Sequence, residues 1–394
     1  MAKTPEAVRK LLMDVWGPAR TRALEERDLL QKAVQTEGGN FKLAAWDWRY
    51  YAEKVRKTRF DVDEAEIKPY LQLESVVEAA FDVAKKLFGV SFKERTDLPV
   101  YHPDVRAFEV TDKAGRHVGL FIGDYFARPS KRSGAWMSGW RDQHRLDREV
   151  TPIVVNVMNF AKGAPGAPSL LSVDDARTLF HEFGHGLHGL LSNVTYPSLS
   201  GTSVERDFVE LPSQLYEHWL ERPEVLRKFG KHYKTGKPVP ESLLKRIKAA
   251  RTFNQGFATV EYLAAAIVDI DLHVLEDADK LDVDTFETET MARIGMPDEI
   301  LMRHRIPHFQ HIIGGYAAGY YSYMWSEVMD ADAFRAFEEA GDVFDPKTAS
   351  RLHDFIYSAG GRQDPADAYI AFRGRLPTTE ALLAKRGLSK PMAA

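Results

Sequence analysis

The chain has 394 residues, 44% hydrophobic, 28% charged and 11% aromatic, which is the profile of an ordered globular protein with apolar side chains enough for a substantial core. Its 53 basic and 57 acidic residues leave a net charge of −4, too mild to provide a global field for nucleic acid or an anionic membrane. There is no cysteine, so disulfides, thiol nucleophiles, iron–sulfur clusters and cysteine zinc sites are excluded, and any metal has to be held by histidine and carboxylate.

The N-terminus, MAKTPEAVRKLLMDVWGPAR, is charged and amphipathic without the apolar run of a secretory signal. Nowhere is there an uninterrupted apolar stretch long enough to span a bilayer, so a cytoplasmic setting without membrane contact is the expectation. Residues 1–36 read as helix, punctuated at Pro18 into two stretches and ended by Gly38 and Gly39. Further helices are predicted from Trp46 to Lys57 and from Glu74 to Phe88, where Gly89 stops the pattern. Between Pro99 and Phe126 the period changes to alternation. There RAFEV and HVGLFI flank the turn cluster Asp112–Arg116, which predicts a β-hairpin, and PIVVNVMNF (Pro152–Phe160) reads as another strand. Arg128–Trp140 reads as a glycine- and serine-containing loop. From Ser172 onward the pattern is helical, broken near Tyr196–Ser203, Gly236–Pro240, Gly314–Gly319 and Gly360–Asp364. The fold class is mainly α with a small β-sheet, read as one domain over residues 1–394: a helical lead-in (1–95), a small sheet region (96–160) and a helical site-bearing region (172–394).

Ser172, with Asp175 three residues on, fits a helix-start capping pattern, so HEFGHGLH (181–188) falls within a helix. Leu179, Phe183, Leu187 and Leu190 form its apolar stripe, while His181, His185 and His188 lie on another. One turn apart, His181 and His185 can converge on a single ion. Glu182, offset around the helix, can reach a water on that ion without binding the ion itself. A third ligand is still required. Downstream, the carboxylates and imidazole of Glu205, Asp207, Glu210, Glu217 and His218 are candidates. Spacing favours Glu210, just before Pro212 in the first turns of a helix, with Asp207 on the same face as a hydrogen-bond acceptor for a ligand imidazole. Glu217 and His218 read as surface and packing residues. Farther on, Tyr316, Tyr320 and Tyr323 fall at i, i+4 and i+7, so on a helix their phenols share one face, and Gly314, Gly315 and Gly319 leave the backbone open to close approach. An aromatic stripe is ordinarily core, but phenol hydroxyls need partners and can serve as donors to a developing oxyanion. His304 and His308 read as ordinary structural histidines.

HEFGHGLH, SGTSVERDFVELPSQ and HIIGGYAAGYYSYMWSE resemble the zinc oligopeptidase family of thimet oligopeptidase, oligopeptidase A and the peptidyl-dipeptidases (Dcp). The WDWRYYAEKVRK, LPVYHPDVRAFEV, GAWMSGW and VVNVMNF segments resemble the peptidyl-dipeptidase branch most, and the likeness runs through essentially the whole chain. The resemblance implies a zincin-like metallopeptidase catalytic domain with one Zn²⁺ bound by His181, His185 and Glu210, and Glu182 as general base. It also implies Tyr323 and Tyr316 as oxyanion and substrate donors, His311 beside them, and Tyr320 in contact with substrate. Substrates are then short unstructured peptides, cut by release of C-terminal dipeptides; the alternative is an endo-oligopeptidase. Family members usually carry a long helical N-terminal region that walls the other side of the channel, and this sequence begins inside the catalytic half. From this departure follow a missing N-terminal region or self-association through exposed apolar surface, and a reading from another class: a catalytically impaired relative that binds zinc and peptides. The intact Glu182 argues against that reading. No nucleic-acid role is expected, because KRSGAW and RHRIPH are basic patches without a reading module.

Overall fold

In the computed structural model, which describes residues 1–389, the alternating segments form one five-stranded sheet. Its strands are β1 (Ser91–Glu94), β2 (Arg106–Thr111), β3 (His117–Phe126), β4 (Trp136–Arg141) and β5 (Ile153–Phe160), in the order β1-β2-β3-β5-β4. The β2–β3 hairpin turns where the sequence places it, because the Asp112 side chain accepts from the backbone N–H groups of Ala114 and Arg116, both at 2.9 Å. β3 and β5 are parallel, and the other pairs are antiparallel.

The stretch Arg128–Trp140, expected to be loop, is strand from Trp136 onward. Glycine and serine hide any apolar alternation there. Pairing with β5, from Trp136 opposite Val157 to Arg141 opposite Ile153, makes it an edge strand. The preceding loop is tied to the sheet by Lys131, whose ammonium donates to the carbonyls of Asp124, Phe126 and Met158 at 3.0, 2.7 and 2.7 Å. Asp124 is buried and gathers the Tyr101 hydroxyl, the Arg128 guanidinium and Lys131, all within 2.8 Å. These cations overcome the upward push of burial and hold its carboxyl at about 2.

By Cα proximity the chain divides into two units built from non-consecutive segments. One holds Asp63–Leu244 and Met329–Pro377; the other holds Met1–Val62, Lys245–Val328 and the described residues from Thr378 on.

In the sheet-bearing unit the pleat sorts side chains to two faces. Phe121 and Met158 face the helix Val173–Leu190, while Ile122, Val155 and Val157 form a small cluster with Val105 on the opposite side. Phe183, from that helix, meets Phe81, Phe92 and Phe121 with ring centroids 5.2–5.4 Å apart, so the helix is seated on the sheet by one aromatic nest.

The other unit is helical. Pro5–Thr36 is one continuous helix that runs through Pro18, where the sequence suggested a break. An internal proline costs about 3 kcal/mol. Burial of Val8, Leu12, Val15, Trp16, Ala19, Ala23, Leu30 and Val34 along one stripe offsets it at about 1.5–3 kcal/mol for each large side chain. The partner helix is Gln255–His273. Gly256 permits the approach, since a Cβ there would stand 2.3 Å from the backbone nitrogen of Ala23. Glu26, buried on the first helix, accepts from the N–H groups of Gly256 and Phe257 at 3.0 and 2.8 Å, and so caps the start of the second. Among the described residues no helix is long and apolar enough to cross a membrane.

Candidate metal centre

The helix Val173–Leu190 begins with the capping box the sequence predicts: the Ser172 hydroxyl accepts from Asp175 N–H at 2.9 Å, and the Asp175 carboxylate accepts from Ser172 N–H at 3.0 Å. Leu179, Phe183, Leu187 and Leu190 are all buried, which fixes the rotation of the helix and aims His181 and His185 away from the sheet. Glu210 arrives from the next helical segment. It links the short helix Arg206–Val209 to Leu211–Leu220, with Pro212 in the first turn. Gly184, between the two histidines, lets these helices touch. A Cβ at that position would lie 2.7 Å from both the Pro212 carbonyl and the Ser213 Cα. The Pro212 carbonyl is itself held by the buried Tyr357 hydroxyl at 2.7 Å, and Ser213 donates to the Glu210 carbonyl and carboxylate at 2.9 and 3.2 Å.

The result is convergence. His181 Nε2 and His185 Nε2 stand 3.2 and 3.1 Å from the same carboxylate oxygen, Glu210 Oε2. The two imidazoles are 5.0 Å apart between centroids and nearly perpendicular. Among the described residues this is the one set of three ligand-type side chains whose donor atoms all lie within 4.8 Å of one another. A tetrahedral zinc with bonds of about 2.0–2.1 Å needs its ligand atoms about 3.3 Å apart, so the donor set fits the ion in both chemistry and spacing. The electrostatics agree. Burial opposes a charge on Glu210, yet His185 and His181 hold its carboxyl well below the ordinary range. Burial also opposes a charge on His181, but Glu210 and Glu217 raise it well above its ordinary value.

Glu217 is the residue that sequence reasoning missed. It is partly exposed, and its carboxylate oxygen sits 2.7 Å from His181 Nδ1 and so fixes the ring with Nε2 toward Glu210. The signal was available: Glu217 lies seven residues after Glu210, hence on the same helix face. Asp207, the expected acceptor, is buried; His185 Nδ1 has no hydrogen-bonding partner among the described residues. His188 is fully buried, and burial, then His185, push its pKa down to about 3, so it stays a neutral core residue outside the ligand set. His218 packs on Phe334 and meets Asp330 at 2.6 Å, consistent with a packing role. Glu182 is buried beside His181. Desolvation raises its carboxyl, His181 and His185 lower it, and Glu210 and Glu217 raise it further.

Tyr316, Tyr320, Tyr323 and His311 belong to the other unit, where they form a cluster of their own. The expected single helix is not found. Residues 314–321 are a succession of turns, Ala318 has a left-handed φ of +52°, and the helix starts only at Ser322. Glycines at 314, 315 and 319 weaken helical continuity, so the i, i+4, i+7 spacing does not govern. The rings meet nonetheless. Tyr316 and Tyr323 stack at 5.4 Å and 10°, and His311 lies 6.0, 5.0 and 6.1 Å from Tyr316, Tyr320 and Tyr323. Tyr320 is buried, which raises its phenol to about 12. His304 stacks on Phe309 at 4.9 Å, and burial lowers it to about 4.

Two imidazoles a helical turn apart, a glutamate between them in sequence and a carboxylate from the following helix make a group that could hold a metal ion. The chain belongs to peptidase family M3, whose pattern matches residues 1–388. It is 42% identical to a dipeptidyl carboxypeptidase of Escherichia coli (strain K12), over 99% of this chain and 57% of that protein. To oligopeptidase A of the same organism it is 38% identical, over 98% and 58%. The chain therefore spans a little over half the length of these relatives. Among solved structures, an M32 carboxypeptidase from Deinococcus radiodurans R1 has a TM-score of 0.50 at 14% identity, covering 97% of this chain and 66% of that one, a likeness of fold.

Proposed function

We propose that the chain hydrolyses short peptides with one zinc ion held by His181, His185 and Glu210, and that it releases dipeptides from free C-termini. The observation that carries this reading is the convergence of two Nε2 atoms on one Glu210 oxygen, with a buried glutamate next to the first histidine. Zinc bound there would polarise a peptide carbonyl and make water more acidic. Glu217, 2.7 Å from His181 Nδ1, would keep that nitrogen protonated and leave Nε2, on the Glu210 side, as the ligand atom. Glu182 takes the proton from the attacking water and passes it to the departing amine. Tyr323 and Tyr316 are the proposed donors to the carbonyl oxygen as negative charge builds on it, with His311 beside them; Tyr320, the expected substrate contact, is buried against His311 and Phe309 and acts by supporting the cluster.

The 42% identity to a dipeptidyl carboxypeptidase supports dipeptide release; the 38% identity to oligopeptidase A supports internal cleavage as the second reading. A mass-resolved digest of one nonapeptide, with free and with amidated C-terminus, each with and without chelator, separates the two. Dipeptide release is expected from the free peptide alone. Cleavage of the amidated peptide as well would establish the endo-oligopeptidase reading, and cleavage that resists complete zinc removal would reject both. Zinc and peptide binding without any cleavage would point to an impaired relative.

A further inference from the structure

We propose that Asp269 is a positioning residue for the tyrosine cluster, its carboxylate fixing the backbone of the turn that carries Tyr316 and Tyr320. The inference rests on the reading above only in giving that cluster a catalytic task; the hold itself is visible in the geometry. Residues 314–321 contain three glycines and lack a helical ladder, so ordering them costs conformational entropy that a neighbour has to offset.

Asp269, on the helix Gln255–His273, is buried. Its Oδ1 accepts from Ala318 N–H at 3.0 Å and its Oδ2 from Tyr320 N–H at 2.8 Å. His273, one turn along the same helix, places Nδ1 2.9 Å from Oδ1. Tyr262, two turns earlier on the same face, donates its hydroxyl to the Tyr320 carbonyl at 2.5 Å and accepts from Met324 N–H at 3.3 Å. One helix face thus takes both backbone polar groups of Tyr320 and the N–H of the residue two before it. Ala318 is the strained point. Its φ of +52° is a conformation that alanine rarely adopts, and Asp269 holds its N–H there. A carboxylate presents two acceptors to two N–H donors; a carboxamide presents one acceptor and sets an NH₂ against the other donor.

Asp269→Asn therefore tests the proposal. Hydrogen-exchange mass spectrometry over residues 314–324 should show the Ala318 and Tyr320 amides exchanging about tenfold faster or more. In the same protein kcat on the nonapeptide should fall about 30-fold with KM within about threefold and zinc content unchanged. Unchanged exchange at these amides, or kcat within twofold of the parent, would overturn the proposal. So would a kcat loss that vanishes once scaled to the folded fraction. If the parent protein cleaves no peptide, the functional reading fails, and the exchange measurement alone still decides whether Asp269 holds the turn. Should Asp269→Asn not fold, His273→Asn alters a half-exposed partner of the same carboxylate. About threefold faster exchange and a kcat loss of about threefold are expected, and no change in either would count against the idea.

Discussion

The ligand cluster and the tyrosine cluster are both assembled from residues close in sequence, yet they are held by opposite means. His181, His185 and Glu217 are set by helical period, and Glu210 is brought to them by close packing of two regular helices at Gly184. Tyr316 and Tyr320 sit on turns without a period of their own, and both backbone polar groups of Tyr320 are taken by side chains from a distant stretch of sequence, Asp269 and Tyr262. A metal site tolerates little displacement of its ligand atoms, and rigid helices supply that; a group that must meet a changing substrate can ride on a turn. The first kind of site should fail through packing and metal loss, the second through turnover with the metal retained.

The largest expected effect lies at the boundary of the two behaviours. Glu182→Gln keeps the volume and the helix and should retain zinc while losing about 10³-fold or more in kcat, read by metal analysis alongside peptide turnover. Zinc loss in this variant would make Glu182 a structural member of the ligand cluster. Tyr323→Phe should lower kcat about 10²–10³-fold with little change in KM and with full zinc occupancy, the signature of a donor used only in the transition state. Gly184→Ala should do the reverse. Its methyl group meets backbone at 2.7 Å, so the helices have to separate. Overpacking of about 1–3 kcal/mol should weaken zinc affinity about 10–100-fold, measured by competition with a fluorescent chelator. Glu217→Gln, which keeps one acceptor near His181 but removes the charge, should cost about tenfold in zinc affinity by the same assay.

The smallest effect is a pH dependence in the helical unit. Burial raises the Glu26 carboxyl from its ordinary 4.5 to about 7, against the lowering by Phe257 N–H, Gly256 N–H and Arg22. Because the folded pKa is the higher one, its contribution to stability is complete below 4.5 and is lost as pH rises through 7. The difference in thermal stability between the parent and Glu26→Gln should change by no more than about 3 kcal/mol between about pH 5 and pH 8, with the parent losing ground at the higher pH. A flat difference would show that the helix cap does not titrate in this range.

The same contrast accounts for what could be read in the sequence. Ser172, Asp175 and the 179–183–187–190 stripe specify the motif helix locally, and they also predict which way its histidines point. Glu210 was legible from spacing and Pro212, and Glu217 from its place seven residues on, once the helix between them was granted. Strand β4 was not legible, since Ser138 and Gly139 interrupt any apolar alternation and β5 alone defines it. Pro18 misled because a local rule ignores the buried stripe on either side of it. The tyrosine turns were hidden for a related reason: their spacing suits a helix, while the N–H groups of Ala318 and Tyr320 are claimed by a residue about fifty positions earlier.

The central claim is that His181, His185 and Glu210 grip a single divalent ion. Anomalous diffraction at the zinc edge from crystals of the zinc-loaded protein tests it most directly. One peak is predicted within about 2.0–2.2 Å of His181 Nε2, His185 Nε2 and a Glu210 carboxylate oxygen. A zinc peak elsewhere with these three side chains still bonded to one another, or no peak from a protein that cleaves peptides, would contradict the account.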